Sequence, residues 1–151
     1  MKRVRLSSAM RSMALLVVIT LTAVSQRVDR PLLSDPKKYS MDQCVRSFSV
    51  AEIETTRAGY QFWFADKKFL NGRTIKLSVV APGKSTHEPH SHAEDEFFFV
   101  LEGAAEFLLN GARRTVGPMT SLYCPSMSEH GIRNAGIVEL KYLVIKKYDI
   151  P

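Results

Sequence analysis

The chain has 151 residues, of which 45% are hydrophobic and 24% are charged, with 8 glycines and 7 prolines. This composition is that of one ordinary globular domain and excludes a disordered or fibrous protein. The net charge is +6, but four of the 21 basic residues lie among the first 25 residues, which contain no acid. Without that segment the charge would be only +2, so we predict no nucleic-acid partner, because such a partner needs a basic surface.

The N-terminus has the three-part pattern of a secretory signal peptide. A basic stretch precedes an apolar run over residues 13–24, and the small residues Ala23 and Ser25 stand where a signal peptidase requires them. Because the run has 12 residues and a membrane-spanning helix needs about 20, a permanent anchor is the weaker interpretation. We expect a signal peptide over residues 1–25, a mature chain that begins at Gln26, and a periplasmic or secreted protein without a stable membrane span.

The remainder divides into a polar arm and a β-rich domain. Residues 26–46 are interrupted by two prolines, which predicts a linker or irregular arm. Residues 47–151 contain short runs rich in Val, Ile, Phe, Tyr and Thr between turn signals, without helical periodicity. The sequence therefore predicts an all-β domain, a sandwich or small barrel. Its strands are expected at 48–55, 60–65, 74–81, 96–101, 105–109, 112–116, 120–124, 131–134 and 139–146.

Two cysteines, Cys44 and Cys124, are too few for a disulfide scaffold. They form no Cys-x-x-Cys pair, which argues against redox chemistry and a zinc-thiolate site. An oxidising compartment would permit them to pair, and the sequence leaves that question open.

The histidines carry the strongest functional signal. His90 and His92 share one face of an extended chain because side chains alternate there. Glu96 begins the next predicted strand, and its carboxylate converges with the two imidazoles if the strands lie side by side. His130 is the distant histidine that remains to supply a fourth ligand. Three imidazoles and one carboxylate suit Fe(II), Mn(II), Ni(II), Cu(II) or Zn(II), and disfavour Ca(II) or Mg(II).

These residues resemble the two sequence motifs of the cupins. His90, His92, Glu96 and Gly103 have the spacing of the first motif. The spacing of the second motif, Gly-(five)-Pro-x-Gly-(two)-His-(three)-Asn, is kept at Met119, Pro125, Met127, His130 and Asn134. Both glycines of this second motif are methionine in the present chain. Such glycines shape turns and bind no metal, so the substitutions concern loop geometry and leave the ligand set intact.

The resemblance covers about residues 72–147 and implies a double-stranded β-helix, or jelly-roll, barrel. It further implies that His90, His92, Glu96 and His130 hold one divalent metal inside, with no other cofactor. Alternatives remain for neighbouring residues. His87 is expected to be exposed but is also a candidate auxiliary ligand, and Glu94 and Asp95 are expected to face water.

Function stays open between three hypotheses. The first is an exported metalloenzyme of dioxygenase, isomerase or lyase type that acts on a small polar or carbohydrate-like molecule, with catalytic residues not identified. The second is a non-catalytic module that binds or senses a small molecule. The third is a structural accessory in which residues 48–65 pair with another chain. Since dimers are common among cupins, we also expect a homodimer.

Overall fold

The computed structural model describes residues 40–149, which form an antiparallel β-structure. The predicted signal peptide and most of the predicted arm lie outside those residues. At the end of the arm, a short helix (α1, Met41–Cys44) stands where an irregular chain was expected. Its N-terminus is closed by Ser40 and Gln43, whose side chains each accept a hydrogen bond from the other's backbone amide. Within residues 40–149, no helix is long and apolar enough to cross a membrane.

Nine strands follow within residues 40–149, and the prediction of an all-β fold is confirmed. They are β1 (Glu54–Thr56), β2 (Gly59–Leu70), β3 (Arg73–Val80), β4 (Glu96–Glu102), β5 (Ala105–Leu109), β6 (Ala112–Val116), β7 (Thr120–Cys124), β8 (His130–Asn134) and β9 (Leu140–Lys147). The Asn110-Gly111 pair forms the predicted hairpin between β5 and β6, with φ of 48° and 81°.

The strand predicted over 48–55 is wrong for most of its length. A 3₁₀ turn occupies Val50–Glu52, and only the short strand β1 follows it. The turn brings the Phe48 ring to 5.2 Å from the Phe62 ring, and Arg46 forms an ion pair with Glu52 across it. The ring contact and the ion pair both stabilise the turned backbone.

The strands form two sheets that share one core. The larger sheet has the order β1-β2-β3-β9-β4-β7, and the smaller has the order β6-β5-β8. Side chains from both sheets pack in a single cluster, to which the larger sheet contributes Phe98, Val100 and Tyr142 and the smaller contributes Ala105 and Ile132. The inner faces therefore enclose a barrel interior.

Strand register places three inward polar side chains at one level. Glu96, the first residue of β4, pairs with Cys124 of β7 on one side and with Lys146 of β9 on the other. All three are buried. Because directly opposed residues on antiparallel strands point to the same face, these three side chains enter the barrel together.

The outer face of the larger sheet is divided into a covered and an exposed part. Phe62, Leu77 and Val79 form a second buried cluster there. Phe62, within the segment 48–65 that the third hypothesis pairs with another chain, is 1% exposed. Beyond that cluster the sheet carries a row of apolar side chains, described below.

The methionines that replace two motif glycines keep the glycine backbone. Met119 and Met127 both have φ of 60°, in the left-handed region that glycine enters without steric cost. The amide of Met119 donates to the Val100 carbonyl, and that of Met127 to the His92 carbonyl, each at 2.8 Å. The loop geometry that the substitutions placed in question is thus retained.

Candidate metal site

The loop over residues 81–95 carries His90 and His92 to the barrel. His90 lies opposite His130 in an isolated bridge, with reciprocal backbone hydrogen bonds of 3.0 and 2.9 Å. The extended segment that carries His90 and His92 is therefore paired with β8 at one residue only and does not form a full strand. The hydrogen bond from Met127 to His92 fixes the next part of the loop.

Four side chains named by the sequence are brought together at this end of the barrel. Nε2 of His130 lies 3.0 Å from Oε1 of Glu96, and Nε2 of His92 lies 3.8 Å from the same oxygen. Donor atoms of His90, His92 and His130 all lie within 4.8 Å of one another. His130 and Glu96 are buried, whereas His90 is exposed, so the group opens toward the surface on the side of the loop.

The three imidazoles are oriented by the same local contact. In each, Nδ1 lies at hydrogen-bond distance from the backbone carbonyl of a residue two positions away. These contacts are His90 with Glu88 at 3.0 Å, His92 with Glu94 at 2.6 Å, and His130 with Ser128 at 2.8 Å. A carbonyl only accepts, so Nδ1 carries the hydrogen and Nε2 of each neutral ring keeps its lone pair. This tautomer, fixed by the carbonyl, is the form in which histidine binds metals, and the donor set fits a divalent transition metal.

Two further side chains belong to this group and were missed by the sequence analysis. The Lys146 ammonium lies 3.0 Å from Nε2 of His92, 3.6 Å from the Glu94 carboxylate and 4.0 Å from that of Glu96. Cys124 offers a sulfur atom within 4.8 Å of the donor atoms of Glu96 and His130. Burial raises the pKa of the Cys124 thiol to about 12, and the nearby Glu96 carboxylate acts in the same direction.

Strand alternation was the available signal for both residues. Lys146 follows the inward residues Leu140, Tyr142 and Val144 at every second position of β9, and Cys124 follows Leu122 in the same way on β7.

Other residues discussed from the sequence have different surroundings. Glu94 does not simply face water, because its carboxylate contacts Lys146 and lies 3.6 Å from Nδ1 of His92. Asp95 accepts a hydrogen bond of 3.1 Å from Tyr123, whose ring is on the outer face of the sheet. Asn134 is fully buried and donates to two backbone carbonyls, which is a structural role.

His87 is exposed, as expected, and stands beside the ligand group rather than in it. Its ring lies 5.8 Å from that of His90. Its pKa is lowered, first by partial burial and then by the positive charge of Lys76.

A small cavity adjoins the group of four. Its volume is about 50 Å³. Since one water position needs roughly 10–15 Å³ on this measure, the cavity has room for a few non-hydrogen atoms. The side chains that line it include Lys76, Thr86, His87, His90, Glu96 and Tyr142. Lys76 and Ser78, which alternate with apolar residues along β3, lie on the inner face of the strand, and Lys76 is part of the pocket wall.

Comparisons with known proteins agree with this architecture. The family model described as "Cupin domain" matches residues 76–146. No curated protein matches the chain. Among solved structures, a predicted oxalate decarboxylase from Thermotoga maritima is similar with a TM-score of 0.57 and 23% identity, covering 64% of this chain and 90% of the other.

Two further structures have the same fold. A cupin 2 conserved barrel domain protein from Salinispora arenicola has a TM-score of 0.58 and 24% identity, over 69% of this chain and 87% of the other. A sugar phosphate isomerase of a cupin superfamily from Silicibacter pomeroyi has a TM-score of 0.59 and 18% identity, over 68% and 76%. At these identities the likeness concerns the fold.

Proposed function

We propose that this chain, whose residues 76–146 match the family model described as "Cupin domain", is a cupin that binds one divalent transition-metal ion through His90, His92, Glu96 and His130. The observation that carries the proposal is the common orientation of the three imidazoles. Each is held by a backbone carbonyl at Nδ1, and Nε2 of His92 and of His130 lies within 3.8 Å of the Glu96 carboxylate. Histidines that bind no metal would not be expected to share this arrangement.

The bound ion would supply Lewis-acid or oxygen-activating chemistry to a small polar molecule in the adjoining cavity. The chain's own residues enclose that cavity. Glu96 and Phe98 of β4 and Tyr142 and Val144 of β9 form its inner wall, which limits the water that reaches a bound molecule. We propose an enzyme of this general type. The similar structures named as a predicted oxalate decarboxylase and a sugar phosphate isomerase share the fold, and a shared fold does not select a reaction.

The second candidate function is a binding or sensing module. It is favoured because few of the residues that line the cavity carry an imidazole or a carboxylate for proton transfer. Apart from the four candidate ligands, these are His87 and Glu88. Turnover of a small polar molecule by the metal-loaded protein, against saturable binding without product, separates the two functions.

Elemental analysis tests the metal proposal. The protein is purified without chelators and without a polyhistidine tag, beside Glu96→Ala and the matched control Glu102→Ala. Glu102 ends the same strand but is exposed. We expect one equivalent of iron, manganese, nickel, copper or zinc in the wild type and in Glu102→Ala, and its loss in Glu96→Ala. Wild-type protein that stays metal-free after incubation with each ion would reject the proposal.

Export and self-association are separate proposals. Export rests on the sequence of residues 1–25, and N-terminal sequencing of protein recovered outside the cytoplasm should begin at Gln26.

Self-association rests on the outer face of the larger sheet. A row of four side chains lies there on neighbouring strands, and each side chain is 39–46% exposed. The row consists of Ile75, Ile145, Phe97 and Tyr123. A second copy of this row is a self-complementary partner.

A further inference from the structure

Lys76 is a cation placed in the wall of the cavity. It points inward from β3, on the same face as the buried residues Thr74 and Ser78. Its side chain lines the cavity together with Glu96 and His90, which belong to the candidate metal site. One small molecule in the cavity therefore contacts Lys76 and adjoins the ligand group at the same time.

The Lys76 ammonium lacks the carboxylate partners that two other lysines of the described residues have. Lys141 lies 2.8 Å from a Glu102 carboxylate oxygen, and Lys146 is held between Glu94 and Glu96. Within residues 40–149, Lys76 has no carboxylate oxygen within 4.0 Å and no hydrogen bond, and its ammonium lies 5.1 Å from the centre of the Trp63 ring. Partial burial lowers the pKa of Lys76, while the negative charges of Glu96 and Glu54 act in the opposite direction.

The surrounding charges favour an anion in this space. The two positive charges of a divalent ion at the candidate site would exceed the single negative charge of Glu96. Lys76 adds another positive charge beside this site. Two of the remaining carboxylates are paired with cations. Lys146 faces Glu94, and Glu88 at the rim is paired with Arg57 at 3.1 Å. The Glu54 carboxylate behind Trp63 accepts hydrogen bonds from Gln61 and from the indole.

We propose that the molecule bound in this cavity is a small carboxylate, whose anionic group is held by the Lys76 ammonium beside the metal-ligand group. The inference rests on the proposed function for the position of the ion, and it adds the chemical class of the ligand. A carboxylate has two oxygens, which suits a site with cations on two sides. The volume of about 50 Å³ limits the ligand to a few non-hydrogen atoms. The hydroxyls of Thr86 and Tyr142 lie 3.3 Å apart on the same wall, and the one that accepts in their mutual hydrogen bond keeps its own O–H as a donor.

Trp63 provides a direct reporter, because it is the only tryptophan of the chain and its ring lies against Lys76. The full-length protein, metal-loaded and metal-stripped, is titrated with acetate, oxalate and malonate while tryptophan emission is recorded, with calorimetry in parallel. Acetamide serves as the neutral analogue of acetate. We expect a saturable response to at least one carboxylate in the metal-loaded wild type, and at least about tenfold weaker binding of acetamide than of acetate, because a charge-assisted contact is lost.

The variants are Lys76→Met, Lys76→Arg and the matched control Lys147→Met, whose side chain is exposed on β9. We expect Lys76→Met to weaken carboxylate binding at least about tenfold at unchanged metal content, Lys76→Arg to retain part of it, and Lys147→Met to bind like the wild type. Equal binding by Lys76→Met and the wild type would overturn the proposal. So would equal binding of acetate and acetamide, or no carboxylate binding at all by the wild type.

Metal content separates this inference from the proposed function. If the wild type holds no metal but still binds carboxylates in a Lys76-dependent manner, the metal proposal fails and the anion site stands. If metal is present and carboxylate binding does not depend on Lys76, only the inference fails. Should Lys76→Met not fold, the comparison of acetate with acetamide on the wild type still decides.

Discussion

The Lys146 ammonium lies 3.0 Å from Nε2 of His92, the nitrogen whose lone pair a metal ion would need. The lysine donates a hydrogen bond to the same lone pair, so a cation of the protein and a bound metal compete for one ligand atom. Lys146 also offsets the negative charges of Glu94 and Glu96. The single ammonium offsets half of the charge of these two carboxylates in the metal-free site, and metal binding requires this ammonium to move aside.

Replacing Lys146 with methionine is therefore expected to tighten metal binding. The substitution removes both the competition for His92 and the repulsion between an ammonium and a divalent ion, and we expect a dissociation constant about tenfold lower. Competition titration with a chromogenic chelator measures the change, with Lys147→Met as the exposed neighbour for comparison. Weaker binding by Lys146→Met would instead mean that the lysine holds the ligands in position.

Two histidine substitutions distinguish the ligand group from its surroundings. His130 is fully buried with Nε2 beside Glu96, whereas the exposed His87 stands outside the group of converging donor atoms. We expect His130→Ala to lower metal affinity by at least roughly an order of magnitude, and His87→Ala to leave metal content nearly unchanged. Metal analysis of both proteins at matched concentration tests this. A large loss in His87→Ala would place that residue among the ligands.

The sequence predicts much of this structure because turn residues and motif spacing are local signals. Strands β5, β6 and β7 begin and end where the turn residues around them indicate. The positions of His90, His92, Glu96 and His130 follow from spacing, which survives even where Met119 and Met127 replace glycine. Local signals fail at the chain segment around Phe48, where a contact with the distant ring of Phe62 decides the backbone.

Lys146 and Cys124 show what the sequence does not provide. Alternation states that Lys146 shares a face with Tyr142, but it does not state which face is inside or what lies opposite. Those facts depend on the register by which β4 pairs with both β9 and β7. The same applies to Lys76, whose polar face is visible in the sequence although its place in the cavity wall is not.

The backbone at Met119 and Met127 predicts a stabilising substitution. A non-glycine residue in the left-handed region destabilises the folded state by roughly 1–2 kcal/mol. Replacement by glycine removes this strain, but part of the gain is lost because glycine makes the unfolded chain more flexible. We expect Met119→Gly and Met127→Gly each to raise the free energy of unfolding by about 0.5–1 kcal/mol, measured by urea denaturation. Met119→Ala and Met127→Ala are the matched controls, since they remove the same exposed side chains at the same φ and should give no such gain.

The exposed apolar row predicts the effect of a charge at its centre. Ile145 pairs with Ile75 on one side and Phe97 on the other, so an aspartate there would be buried between two copies of the sheet. We expect the wild type to have about twice the chain mass of 17.0 kDa, and Ile145→Asp to have the mass of one chain, by light scattering after size exclusion. Ile137→Asp is the control, because Ile137 is 94% exposed and lies outside the row. A monomeric wild type would contradict the proposal.

The two cysteines are free in this structure, Cys44 exposed and Cys124 buried, and their thiols should differ sharply in reactivity. With a pKa of about 12, Cys124 is thiolate in roughly one molecule in ten thousand at pH 8, and its burial excludes a bulky reagent as well. A chromogenic disulfide reagent should therefore titrate one thiol in the native protein, none in Cys44→Ser, and two after denaturation of the wild type. Raising the pH increases the thiolate fraction of Cys124, so any slow native reaction of Cys44→Ser should accelerate with pH. Rapid labelling of Cys44→Ser at pH 8 would show that solvent reaches the barrel interior beside Glu96.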